Sequence, residues 1–259
     1  MEKNLNSNNS KHEGYIYCSD LDVKPPDVLF EHAQKGDVIG SGIDKPPYIV
    51  LDFNLSKVII RWPGRLWHAQ SVTLATDQPR LGWHYIRATS VRVIKELPVS
   101  LLFGDNGQAV VEILNRAHQD LDIVHKNTLR TLKIPFKEHA KIYSAVINRW
   151  LQTKQEALYH AGKDHRYTLG IVTEQANSPV GMALSVVYDI VRKRAQILEP
   201  DTALVSDGDE EDPEMILHPD WSAVSEMFLN AVMAVGAPMQ LITPEEKITL
   251  YAPYKELFG

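Results

Sequence analysis

Hydrophobic and polar positions follow two different periods along this chain, and the period changes near Pro98. Before that residue, short segments rich in Val, Ile, Thr and aromatic residues are separated by Gly, Pro, Asn and Asp, a pattern typical of strands joined by turns. The predicted strands are GDVIGSG (37–43), PYIVLDF (47–53), KVIIRW (57–62), RLWHAQSVTLA (65–75) and WHYIRATSVRVIK (83–95). Five short strands so close together predict a small β-barrel-like domain over residues 14–97.

The spacing of these strands is similar to that of SH3-like and OB-like barrels, an analogy of architecture that implies no function by itself. Within it, RWPGRLWHAQ (61–70) predicts a hairpin, because Pro presets φ for the second position of a turn and Gly accepts the positive φ of the third. Pairing outward from this turn places Ile60 opposite Trp67 and Val58 opposite Ala69 on a core face. The opposite face then carries Lys57, Ile59, Arg61, His68 and Gln70.

The outward face of the predicted barrel combines basic and aromatic residues, since the last strand adds Trp83, His84 and Tyr85. The candidate binding residues are Lys57, Arg61, His68, His84, Arg87 and Arg92. Such a face suits an acidic protein surface or peptide, or a nucleic acid, whose bases stack on rings while cations follow the phosphates. The structural alternative is that Trp62, Trp67 and Trp83 form the core and that arginines at strand edges only keep the sheet soluble.

Beyond Pro98 apolar residues recur every three to four positions, which predicts a mainly helical domain over residues 98–259 and an α+β fold overall. The expected helices begin after Asp105 or Asn106, at Pro135, at Ser178, near Asp220 and at the capping box TPEE (243–246). We expect the third helix to be central and buried, and the last to stop at Pro253. YTLGIVTE (167–174) is typical of a lone strand.

Composition and charge indicate a globular protein with an uneven charge distribution. No apolar run approaches the ~18 to 20 residues that span a bilayer, and the polar residues 1–13 predict a disordered tail. Eight carboxylates between Glu199 and Glu214 predict a solvated acidic loop. A single cysteine, Cys18, excludes an intrachain disulfide and favours a reducing, cytoplasmic compartment.

One group of residues has the spacing of a metal or acid/base site. His118, Asp122 and His125 stand at i, i+4 and i+7 of HQDLDIVH, where they share one strip of a continuous helix and suit zinc, iron or general-base chemistry. The alternative is an ordinary amphipathic strip, since no fourth ligand is evident.

We find no G-x-S-x-G or H-E-x-x-H motif and expect no particular cofactor. The sequence favours a non-enzymatic binding or adaptor protein whose helical domain serves either as a scaffold or as a platform for forming a homo-oligomer. A metal-dependent or acid/base hydrolytic enzyme is the alternative.

Overall fold

The structure is a computed structural model that describes residues 12–20, 27–41, 43–80, 82–121, 136–160, 179–206 and 215–259. The chain divides into two compact units, residues 1–99 and 100–259. The first unit is built from strands and the second mainly from helices, so the predicted α+β class is confirmed.

The first unit is a small closed barrel. Its strands are β1 (Glu13–Ser19), β2 (Val38–Ile39), β3 (Ile49–Asp52), β4 (Gly64–Leu74) and β5 (Tyr85–Leu97). All pairs are antiparallel: β1 and β5 each pair with both β3 and β4, which closes a ring of four strands, and β2 adds to β5. Alternate residues point inward and pack together, including Ile16, Leu51, Trp67, Ala69, Val91 and Val93. The predicted barrel is therefore confirmed.

The predicted hairpin around Pro63 and Gly64 is wrong. The strand EGYIYCS, which the sequence analysis missed, pairs with β4 from Glu13 opposite Gln70 to Ser19 opposite Gly64. Because β5 occupies the other edge of β4, no edge remains for the predicted strand 57–62. Residues 55–57 instead form a 3₁₀ turn, at which the Asn54 side chain accepts a hydrogen bond from the Ser56 N–H.

Burial separates the three tryptophans of this unit. Trp62 and Trp67 are 7% and 2% exposed, as the structural alternative expected, whereas Trp83 is 52% exposed. Val58 and Ala69 are buried as predicted, but Val58 is not part of a strand. Ile59 is 79% exposed, so the segment 58–63 presents an apolar side chain to solvent.

The second unit contains five described helices and a short hairpin. The helices are α1 (Gly107–Gln119), α2 (Phe136–His160), α3 (Pro179–Leu198), α4 (Pro219–Gly236) and α5 (Pro244–Phe258). The central helix is α4, which packs on the other four and buries Met227, Phe228 and Ala231 to Ala234. The sequence predicted that α3 is the central, buried helix, and this is wrong. The central helix is α4, and α3 exposes a strip formed by Ser185, Asp189 and Lys193.

The ends of the helices agree with most of the predicted signals. Thr243 and Glu246 form the predicted capping box of α5. Pro253 does not stop this helix, and lies buried within it. The predicted acidic loop 199–214 contains a strand, β6 (Leu204–Ser206), which pairs antiparallel with β7 (Met215–Leu217). Residues 1–11, 167–174 and 207–214 lie outside the described residues.

Candidate functional site

The six candidate binding residues do not form one patch. Arg61 lies just before Gly64, which pairs with Ser19, whereas His84 lies just before Tyr85, which pairs with Asp52. Asp52 in turn pairs with Tyr15. Tyr15 and Ser19 are four residues apart on β1, which corresponds to about 13 Å along the strand. Arg61 and His84 therefore lie toward opposite ends of the barrel.

Most of these basic side chains already have acceptors within the barrel. His68 Nε2 lies 3.3 Å from Glu13 Oε2, and His84 Nε2 lies 3.5 Å from Asp52 Oδ1. Arg87 pairs with Asp77, and Arg92 donates to the Gly36 carbonyl at 3.2 Å. Lys57 is half-buried at the end of the 3₁₀ turn, and Arg61 is exposed. The positive charge available to an acidic partner is thus smaller than the sequence indicates.

A carboxyl group that the sequence analysis overlooked lies in the middle of an outward row of side chains. Cross-strand pairing aligns His68, Tyr15, Asp52 and Tyr85 on neighbouring strands β4, β1, β3 and β5. Asp52 is only 8% exposed, and burial raises the pKa of its carboxyl to about 7. Its ion-pair partner among the described residues is His84. This carboxyl group therefore changes charge near neutral pH.

Aromatic residues lie beside this carboxyl group on the neighbouring strands and at the adjoining strand ends. Trp83 packs edge-on against Tyr85, with ring centroids 5.5 Å apart, and the ring of His84 lies 5.3 Å from that of Tyr85. The N–H of Phe53 donates to the His84 carbonyl at 2.8 Å, so the two residues are neighbours at adjoining strand ends, and the Phe53 ring lies 6.1 Å from that of His12. Trp83 and Phe53 are 52% and 43% exposed. We call the group Tyr15, Phe53, Trp83, His84 and Tyr85 the aromatic patch.

The sequence contained part of this site. Trp83, His84 and Tyr85 are adjacent in the sequence and predicted an aromatic group. Asp52 and Phe53 follow the apolar run YIVL, and the sequence analysis did not include them among the candidate site residues. A carboxylate at the end of a buried strand is the signal that could have identified Asp52, because such a position is costly for a charge. The contribution of Tyr15 depends on the pairing of β1 with β3, which local sequence does not reveal.

The predicted metal or acid/base strip is described only at His118. Asp122 and His125 lie outside the described residues, and α1 ends at Gln119 with Asp120 as its C-cap. Of the three residues, only His118 is therefore known to lie on α1. Burial lowers the pKa of His118, and the nearby charge of Arg194 lowers it further. The metal and enzyme hypotheses stay predictions.

Comparisons with known proteins and a search of the described residues give three negative findings. Comparison with protein-family models, with curated proteins and with solved structures gave no match. None of the helices in the described ranges is long and apolar enough to cross a membrane. Within the same ranges, no three His, Cys, Asp or Glu side chains are grouped in a way that could hold a metal ion.

Proposed function

We propose that this protein is a non-enzymatic binding or adaptor protein and that the aromatic patch is its recognition surface. The observation that carries the proposal is the exposure of Trp83 and Phe53, at 52% and 43%, on adjoining strand ends. Large aromatic side chains contribute much of the binding free energy at protein interfaces when a partner covers them. The surrounding strands are paired on both sides in a closed ring, which supports these side chains on a rigid framework.

The proposal departs from the sequence-based expectation in the charge of the partner. An acidic partner depends on positive charge, and His68, His84 and Arg87 each face a carboxylate of the barrel itself. Arg61 lies toward the other end of the barrel from the aromatic patch. The patch itself offers apolar rings and a carboxyl group. We therefore propose that the rings of the aromatic patch contact the partner and that the basic residues lie at the edge of this contact.

The cellular setting is part of the proposal. Cys18 is a free thiol that is buried in the barrel, and burial raises its pKa well above the usual range. A thiol that stays protonated and covered is suited to a reducing compartment. We therefore place the protein in the cytoplasm. Self-association through the helical unit stays a prediction, which sedimentation equilibrium of the full-length chain would test.

Selection of peptides from a random displayed library on the purified full-length protein tests the recognition surface. We expect selected peptides to bind the wild-type protein and to lose at least about tenfold in affinity to Trp83→Ala, since a buried interface aromatic commonly contributes more than 1 kcal/mol. Ile59→Ala is the matched control, because Ile59 is 79% exposed on the same unit but is not in the patch. Its affinity for the peptides is expected to match that of the wild type.

The outcome also decides between classes of partner. Peptides that bind Trp83→Ala and the wild type equally would show that the aromatic patch is not the recognition surface. Acidic peptides whose affinity depends on Arg61 and Lys57 instead would restore the sequence-based expectation. A single-stranded oligonucleotide measured in parallel tests the nucleic-acid alternative, and tight binding that weakens steeply with salt would favour that alternative.

A further inference from the structure

The carboxyl group of Asp52 is largely removed from water, and few interactions with the protein replace those that it would make with water. Its side chain is 11% exposed, and burial is the cause that raises its pKa. The imidazole of His84 faces Oδ1, but at 3.5 Å the contact is longer than a charge-assisted hydrogen bond. Removing a carboxylate from water costs free energy unless a cation or hydrogen-bond donors replace the water. A ligand that brings a positive charge to Asp52 would provide this compensation.

The rings around Asp52 favour the same kind of ligand. Tyr15 and Tyr85 lie directly beside Asp52 on the two neighbouring strands, and Trp83 packs against Tyr85. The face of an aromatic ring attracts a cation through its quadrupole, and the attraction increases when the cation loses water. A carboxylate and several accessible rings in one place are therefore complementary to a cation attached to an apolar stem.

We propose that the aromatic patch binds the ammonium group of a lysine side chain in a partner polypeptide, with Asp52 as its counter-charge. This inference rests on the proposed function and adds the chemistry of the ligand. The four-carbon stem of lysine lies along the exposed ring of Trp83, which packs against Tyr85 next to Asp52 and provides more apolar area than an ammonium group alone can cover.

The geometry of the carboxyl group favours lysine over arginine. A guanidinium group forms its strongest pair with a carboxylate by donating to both oxygens in parallel. At Asp52 one oxygen, Oδ1, faces His84. No residue in the described part of the chain pairs with the other oxygen, which can take a single compact charge such as the ammonium group of lysine. A partner segment with a lysine beside apolar residues therefore fits this surface better than an arginine-rich segment.

The test uses nuclear magnetic resonance of the full-length protein with small probes. The probe is Nα-acetyl-lysine methylamide, and its uncharged control is the corresponding norleucine compound. We expect saturable shifts of the Trp83 indole N–H with the lysine probe, and binding of the norleucine probe at least tenfold weaker. The Trp83 signal is identified by its absence in Trp83→Phe. Tetramethylammonium tests whether a free quaternary amine is the better ligand.

Two carboxylate variants identify the counter-charge. Asp52→Asn keeps the shape of the side chain and is expected to weaken the lysine probe at least tenfold while the dispersion of the amide signals stays that of a folded protein. Asp77→Asn is the control, because Asp77 is exposed and pairs with Arg87, and its binding is expected to match the wild type. If Asp52→Asn does not fold, Trp83→Ala replaces it, since Trp83 is half exposed and its loss is expected to weaken the probe similarly.

The possible results separate this inference from the proposed function. Equal binding of the lysine and norleucine probes, or unchanged binding in Asp52→Asn, would overturn the lysine site. So would tighter binding of tetramethylammonium than of the lysine probe. Selected peptides that lack lysine but still need Trp83 would overturn the lysine site and leave the proposed function standing. Probe binding at Trp83 without any Trp83-dependent peptide would support the ammonium site and overturn the patch as a docking surface.

Discussion

The guanidinium group of Arg65 lies over the indole ring of Trp67, with its Cζ atom 4.5 Å from the ring centroid. Nε and Nη2 of Arg65 each donate to the Glu96 carboxylate at 2.8 Å, and Nη1 donates to the Glu31 carbonyl at 3.0 Å. Trp67 is 2% exposed, so Arg65 covers the ring at the surface of the barrel. The pair of Arg65 and Trp67 therefore belongs to the packing of the barrel and is not part of a binding surface.

The first prediction separates the core from the surface within RWPGRLWHAQ. Trp67→Ala is expected to lower the free energy of unfolding by roughly 3 to 5 kcal/mol, because it removes a buried aromatic side chain and leaves a cavity. Arg61→Glu, on an exposed residue, is expected to change it by no more than about 0.5 kcal/mol. Urea unfolding followed by circular dichroism measures both. Equal losses in the two variants would contradict the burial described above.

The second prediction concerns the contact between β1 and β4. A Cβ atom at Gly64 would collide with the carbonyl oxygen of Cys18 and lie 2.7 Å from both Cζ and the hydroxyl oxygen of Tyr17. Gly64→Ala is therefore expected to cost about 2 kcal/mol or more, because the paired backbone has to move. Thermal unfolding measures the loss.

Gly82→Ala is the matched control for Gly64→Ala. It adds a Cβ with no described atom within 4 Å, at a φ of 92°, and its expected cost is about 1 kcal/mol of backbone strain. A larger loss for Gly82→Ala than for Gly64→Ala would contradict the close approach of β1 to β4.

The third prediction is a pH dependence caused by Asp52. The pKa of this carboxyl is about 7 in the folded protein, above the value of about 4 expected for an unfolded chain. The folded state therefore binds the proton more tightly. The destabilising effect of ionised Asp52 is absent below about pH 4, increases between about pH 4 and 7, and is complete above that range.

Asp52→Asn removes this effect. The variant is expected to be more stable than the wild type at pH 8 by ~1 to 2 kcal/mol, an amount reduced by partial access of solvent, and about equally stable at pH 4. Urea titrations across this pH range measure the difference, and Asp105→Asn, on an exposed carboxylate, controls for net charge. A stability difference that does not change with pH would contradict the raised pKa.

The fourth prediction tests the start of α5. The Thr243 hydroxyl accepts a hydrogen bond from the Glu246 N–H at 3.2 Å, and the Glu246 carboxylate accepts one from the Thr243 N–H at 2.9 Å. Thr243→Ala is expected to cost about 1 kcal/mol through loss of the cap. Lys247→Ala, on an exposed residue of the first turns, is expected to change stability by less than half of that amount. Chemical unfolding compares the two.

Local signals predicted the elements that depend on neighbouring residues in the sequence. The capping box at Thr243 is an example, because both of its partners lie within one helical turn. Local signals could not decide which of KVIIRW and EGYIYCS pairs with β4. Both segments contain β-forming residues, but only one of them can occupy that edge of β4. That choice depends on residues about fifty positions away in the chain, and periodicity contains no information about it.

The candidate site shows the same division. Trp83 and His84 could be recognised from composition, but the burial of Asp52 depends on Tyr15 and Tyr85 being placed on either side of it by two separate strand pairings. The basic residues were misjudged for a related reason, because His68, His84 and Arg87 each lie against a carboxyl group of another strand or turn. Charge counted along a sequence does not show which charges are paired in space.

The ring of four strands makes the first unit dependent on its first strand. β1 satisfies one edge of β3 and one edge of β4, so its loss would leave the backbone N–H and C=O groups of both strands without partners. Exposed edges of this kind pair readily with other chains. Proteolytic removal of the residues through Ser19 is therefore expected to convert a closed barrel into a chain that assembles edge to edge with its own copies.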